Sequence, residues 1–143
     1  MSKSYRLSTA MHILGFIYVS DQERITSQDI ADSLVTNASY VRQMMSTLKK
    51  EGIILSQQGA ARPKLAREPE DINLLEIYHI IEPDHHLLNI ASDVNPLCDV
   101  AACVQTNLQE HYANIQSEAE KQMEKITLAD LIIPVKDPIT VQE

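Results

Sequence analysis

The chain has 143 residues, enough for one compact domain with an extension. It has one Phe and no Trp, so its core has to be built from Ile, Leu, Val, Met and Ala. No apolar run approaches the roughly 18 residues of a membrane span, and Met1-Ser2-Lys3-Ser4-Tyr5-Arg6 lacks the apolar stretch of a secretory signal. The expected compartment is the cytoplasm, where the two Cys stay reduced. A net charge of −8 argues against nucleic acid until its distribution is read. Residues 1–67 carry nine basic side chains against five acidic ones, a net of +4; residues 68–143 carry three against fifteen, a net of −12. One half suits a polyanion and the other repels it.

In chain order, Leu7, Met11, Leu14 and Tyr18, flanked by Ala10, Ile13 and Ile17, mark a helix from Leu7 to Val19 with one broad buried face. Ser8 or Thr9 is its expected cap. After the polar turn 20–24, Thr26 and Asp29 have capping-box spacing ahead of a short helix that buries Ile30, Ala31 and Leu34. Val35-Thr36-Asn37 is a tight turn. Asn37 or Ser39 starts the next helix, which buries Val41, Met44, Met45 and Leu48 and ends at Gly52, whose left-handed conformation caps it. Two such helices around a short turn form a helix-turn-helix.

Ile53–Gln58 and Lys64–Arg67 read as the two strands of a hairpin, or wing, around Gly59-Ala60-Ala61-Arg62-Pro63, with Pro63 outside the ladder or at an edge. Glu68–Asp71 is a polar linker, Ile72–Ile81 a short helix, and Leu87–Ile90 a short strand or an extended piece. A long helix starts at Asn95-Pro96. Val104, Leu108, Tyr112, Ile115, Ala119, Met123 and Ile126 recur along it at steps of 4 and 3, close to a heptad seam over about three heptads. A narrow apolar stripe on an otherwise polar helix predicts pairing with a second copy, and Val104, Leu108, Tyr112, Ile115, Ala119 and Met123 are the expected dimer contacts. Thr127 with Asp130 begins a last short helix, and Pro134 and Pro138 mark an irregular tail. The expected class is mostly α with a small β wing: a winged helix-turn-helix over 1–82, then a cysteine loop, a long dimerisation helix and a tail over 83–143.

The segments RLSTAMHILGFIY, ITSQDIADSLVTNASYVRQMMSTLKKEGII and LAREPEDINLLEIYHIIE, with NPLCDVAACV, resemble the opening helix, helix-turn-helix, wing exit and cysteine-bearing loop of the Rrf2 family, the IscR, NsrR and CymR type of bacterial winged-helix transcription regulators. The resemblance runs from about Tyr5 to Leu131. It implies a regulator that binds a near-palindromic DNA operator as a homodimer, most simply a repressor. Two departures stand out. The family's wing usually turns on a Gly-Gly pair where this chain has only Gly59. Members with iron–sulfur clusters carry three loop cysteines where this chain has Cys98 and Cys103. No cofactor is therefore expected, with an iron–sulfur cluster as the disfavoured alternative.

A recognition helix reads base edges with its first turns in the major groove, which selects Ser39, Tyr40, Arg42 and Gln43, with Asn37 beside them. Ser27 and Gln28 at a helix start suit phosphates, and Lys49, Arg62 and Lys64 suit phosphates or a narrow minor groove. Cys98 and Cys103 are the sensor candidates, for a thiol or small-molecule signal read by the loop around Cys98: Cys98 is the candidate reactive thiol, and Cys103 the candidate buried one. His79, His85 and His86 with the two cysteines lack the paired spacing of a zinc site, so no metal is expected. There is no phosphate loop, nucleophile elbow or metal-hydrolase motif, so the chain is not read as an enzyme. The alternative reading is a winged-helix interaction module that has lost specific DNA binding.

Overall fold

The computed structural model describes residues 4–56 and 62–136. Helix α1 spans Arg6–Val19 and buries Thr9, Ala10, Met11, Ile13, Leu14 and Ile17. Neither Ser8 nor Thr9 caps it: the helix starts earlier, behind Tyr5, and the Thr9 side chain lies on the buried face. Helix α2 (Ser27–Leu34) starts where Thr26 closes a complete capping box with Asp29. Its end carries the left-handed residue of the turn, Val35 at φ 56°, after which the Thr36 amide donates back to the Ala31 carbonyl at 3.0 Å. Helix α3 (Ala38–Lys50) starts at Asn37, whose side chain accepts from the Tyr40 amide at 2.8 Å. It buries Val41, Met44 and Leu48, and Gly52 follows its cap at φ 80°.

Among the described residues the wing ladder is shorter than the sequence implies. Strands β1 (Ile54–Leu55) and β2 (Lys64–Leu65) pair antiparallel, Ile54 with Leu65 and Leu55 with Lys64. Gln57 and Gln58 of the expected strand and Gly59, Ala60 and Ala61 of the turn lie outside the described residues. The expected polar linker is a single 3-10 turn, Pro69–Asp71, with Pro69 buried. Helix α4 therefore starts later than expected and spans Leu74–Ile81, because Asn73 caps it through the Glu76 amide. No strand forms at 87–90; that segment is mostly exposed. Helix α5 runs Asp99–Glu124. It starts at Cys98 rather than at Asn95-Pro96, because Asn95 instead closes a turn, accepting the Leu97 amide on its side chain and the Cys98 amide on its carbonyl.

Helix α6 spans Leu128–Lys136, so helical backbone continues past Pro134. Its start is a second capping arrangement: the Thr127 amide donates to the Asp130 carboxylate at 2.9 Å, and the Asp130 amide to the Thr127 hydroxyl at 3.4 Å. It does not belong with the long helix. Leu128 and Ile132 are buried in the same cluster as Ile13 and Leu14 of α1, Ile30 of α2, Leu48 of α3 and Ile77 of α4. A boundary at residue 82 therefore cuts one core, since Leu128 and Ile132 pack with the N-terminal half. A bridge between Asn73 and Thr127 pins them there, the Leu74 amide donating to Ile126 and the Leu128 amide to Ile72, both at 2.8 Å. The packing is close: a methyl at Gly15 of α1 would stand 3.3 Å from the Ile132 side chain. Burying each Ile or Leu contributes on the order of 1.5–3 kcal/mol, so this one cluster supports all of α1–α4 and α6.

Candidate nucleic-acid interface

The buried stripe of α3 leaves an opposite face that is exposed at Ser39, Arg42, Gln43, Ser46, Lys49 and Lys50. Arg42 is held in place. Its guanidinium donates to the Ser27 hydroxyl at 3.1 Å and to the Ser39 hydroxyl at 3.4 Å, spanning the starts of α2 and α3. Both helices thus turn their first residues to one side of the molecule, with one cation between them. Gln43 lies next to Arg42 on the same exposed face. Gln28 donates to Asp32 at 2.8 Å along α2. Asn37 spends its side-chain oxygen on the α3 cap. Tyr40 is not on the open face with the others: it is half-buried and packs against the core, flanking the turn between α2 and α3.

Arg62 also differs from expectation. Its guanidinium donates to the carbonyls of Ile17 (2.5 Å), Ser20 (3.2 Å) and Gln22 (2.5 Å), so it ties the root of the wing to the end of α1. Cations suit the unpaired carbonyls at a helix C-terminus. Nothing in the local pattern around Arg62 distinguishes it from Lys64, which is exposed on β2; only the fold brings those carbonyls to one of them. Arg67 ties the wing exit to α4, reaching Glu76 at 2.5 Å and the Asp71 carbonyl at 2.9 Å.

No residue of α5 is fully buried. The helix touches its own chain through a polar hub that sequence periodicity missed. Gln116 donates to the Tyr78 hydroxyl at 3.2 Å and to Glu120 at 2.9 Å, and accepts the Leu87 amide at 2.9 Å. Gln105 donates to the Ala91 carbonyl. Burial pushes the Tyr78 phenol above its ordinary range; the Gln116 hydrogen bond lowers it, and the charges of Glu120, Glu82 and Asp84 raise it. His79 stands 3.7 Å from Glu120, and its ring lies 5.1 Å from that of His85.

At about 100° per residue, the side of α5 facing its own chain (Gln105, Tyr112, Gln116) lies roughly 100° around the helix from Val100, Val104 and Ile115. Those three are 68%, 49% and 48% exposed. The expected stripe thus divides. Leu108, Tyr112, Ala119 and Met123 are partly covered within the chain, Tyr112 lining a cleft with Leu88 and Ile90; Val104 and Ile115 are open. Cys98 is the half-buried N-cap of α5 and makes no side-chain cap hydrogen bond. Cys103 is exposed within the chain, so its expected burial would have to come from a second copy.

A family model described as Rrf2, "Iron-dependent Transcriptional regulator", matches residues 3–134. The chain belongs to the Rrf2 family. It is 36% identical over 127 residues to the Bacillus subtilis (strain 168) protein "Putative HTH-type transcriptional regulator YwnA", covering 89% of this chain and 94% of that one. A crystal structure of a "putative DNA binding protein" superposes with a TM-score of 0.70 at 35% identity, over 89% of this chain and 98% of that chain. CymR (YrzC), the global cysteine regulator of B. subtilis, shares the fold at a TM-score of 0.66 and 19% identity, over 92% of this chain and 95% of its own. T. potens IscR does so at 0.64 and 24%, over all of this chain and 92% of its own.

This Rrf2 protein is a DNA-binding transcriptional regulator of the winged helix-turn-helix type, not an enzyme. Among the described residues no helix is long and apolar enough to cross a membrane. The family description names iron, and the donor set here does not fit it. The chain has two thiols, and among the described residues no three His, Cys, Asp or Glu side chains are grouped to hold a metal ion.

Proposed function

We propose that this chain acts in the cytoplasm as a homodimeric repressor, without a bound cluster, reading a near-palindromic operator through α3. The observation that carries the reading is the outward face of α3, with Arg42 pinned between Ser27 and Ser39. A pre-positioned guanidinium pairs with guanine through two hydrogen bonds, and the adjacent Gln43 suits adenine. Ser27, Gln28, Asn37 and Ser39 then lie at helix starts where phosphate oxygens are favoured, Lys49 and Lys64 add cations, and Arg62 sets the wing's attitude. Tyr40 flanks the reading face. Val104 and Ile115, open on α5, are the centre of a symmetric contact with a second α5, extended by Leu108, Tyr112, Ala119 and Met123. Cys98, at the start of a long helix, is the thiol on which an oxidant or electrophile acts, and Cys103 packs at the pairing face.

The test is a mobility shift with the chain's own promoter region. The wild type is expected to bind with half-sites about one helical turn, or a small multiple, apart. Arg42→Ala should weaken binding by on the order of 1–3 kcal/mol and relax preference at one base position. Equal affinity in the variant would remove Arg42 from the interface, and no binding by the wild type would favour an interaction module instead. Brief alkylation of the native protein read by mass spectrometry checks the sensor: faster labelling at Cys103 than at Cys98 rejects it.

A further inference from the structure

Beside the reading face, the turn between α2 and α3 closes a cleft of about 540 Å³ against the start of α1. Tyr5, Arg6 and Thr9 of the α1 segment line one wall, and Thr36 and Tyr40 of the helix-turn-helix line the other. The polar part of the lining is an arginine, two phenols, two threonines and Ser4, beside the apolar Leu34 and Val35, and among the described residues no carboxylate lines it. Arg6 is the one charged residue among the described residues that line it. The Arg6 side chain makes no hydrogen bond or ion pair among the described residues, in contrast to Arg42, Arg62 and Arg67. Ser4, which also lines it, is committed to Glu82, with its hydroxyl 2.9 Å from both carboxylate oxygens.

We propose that this cleft seats a phosphate of the DNA backbone, with Arg6 as the charge and the hydroxyls of Thr36 and Tyr40 as its hydrogen-bonding partners. The inference rests on the functional reading above and adds a contact outside the helix-turn-helix itself. Tyr40 and Thr36 belong to the turn and first coil of α3, so a phosphate held there lies at the edge of whatever groove α3 enters. The same arrangement explains why Tyr40 leaves the open face: its ring packs on the core while the residue lines the cleft. Such a contact carries no sequence information; it fixes how deeply and at what angle the helix docks.

The experiment measures affinity for the promoter fragment and for an unrelated duplex of equal length as salt rises from about 50 to 200 mM. Proteins are the wild type, Arg6→Ala, Arg6→Lys, Tyr40→Phe and Arg42→Ala. Arg6→Ala is expected to weaken both duplexes by a similar factor, on the order of 3- to 10-fold, and to reduce the salt slope by about one. Arg6→Lys should restore the slope, and Tyr40→Phe should weaken both duplexes without changing it. Arg42→Ala, by contrast, should lose mainly the promoter fragment. An unchanged affinity and slope in Arg6→Ala overturns the seat while leaving the reading by α3 intact. So does a loss confined to the promoter fragment, which would make Arg6 a base reader. Inorganic phosphate at millimolar levels that competes in the wild type but not in Arg6→Ala, at constant ionic strength, supports the seat. A wild type that binds neither duplex overturns both readings.

Discussion

Val35 is a β-branched residue in the left-handed region, where such side chains are sterically disfavoured, and its side chain is 92% exposed. The position needs a left-handed residue to end α2, and nothing packs on the side chain to compensate. Val35→Gly should therefore raise unfolding stability by about 1 kcal/mol, read as a higher urea midpoint with an unchanged slope. A midpoint that falls would mean the valine makes a contact this geometry lacks. Gly52 is the converse: its φ of 80° suits glycine, and Gly52→Ala should lower the midpoint even though a methyl there meets nothing within 4 Å. The two differ in legibility. Gly52 announces itself after a basic last turn, whereas no local pattern marks Val35, because Asn37 nearby is the residue type usually chosen for a left-handed turn.

At the scale of elements, α5 and α6 divide roles that their sequences make look alike. Both carry apolar residues at helical spacing. Yet α5 has no buried residue, while α6 buries Leu128 completely and Ile132 nearly so. Leu128→Ala should cost on the order of 2–5 kcal/mol and lower the melting temperature of the whole winged-helix unit, as a cavity in its core would. On α5, Val104→Asp with Ile115→Asp should leave that melting transition nearly unchanged in the single chain, because both side chains already face solvent. The same double variant should sediment as a monomer, since unpaired carboxylates in an apolar contact are costly. Dimeric sedimentation would move the pairing surface elsewhere. The period of α5 was legible; which edge of its stripe faces its own chain was not. That depends on Gln116, a polar residue that helical periodicity scores as surface.

For the whole molecule, the charge division governs how it meets DNA. The basic residues 1–67 include the whole helix-turn-helix and the cations at its face, and the acidic remainder includes α5. Binding should weaken steeply and log-linearly with salt as counterions are released, and a flat dependence would mean that phosphate contacts contribute little. The anaerobically purified protein should show no visible absorption band, and a band that bleaches on oxidation would establish a cluster the two cysteines do not account for.

Local pattern alone determined the order of helices, the capping box at Thr26, the cap at Asn37, the helix-turn-helix and the family, since each depends on residues within a few positions of one another. Tertiary structure alone decided that α6 completes the core around α1, that Arg62 clamps α1 instead of projecting from the wing, that Tyr40 turns inward, and that only part of the α5 stripe stays open. Each of these brings together groups 20 or more residues apart. Which of several similar side chains meets a distant carbonyl or apolar face is set by chain geometry, and no local spacing encodes it.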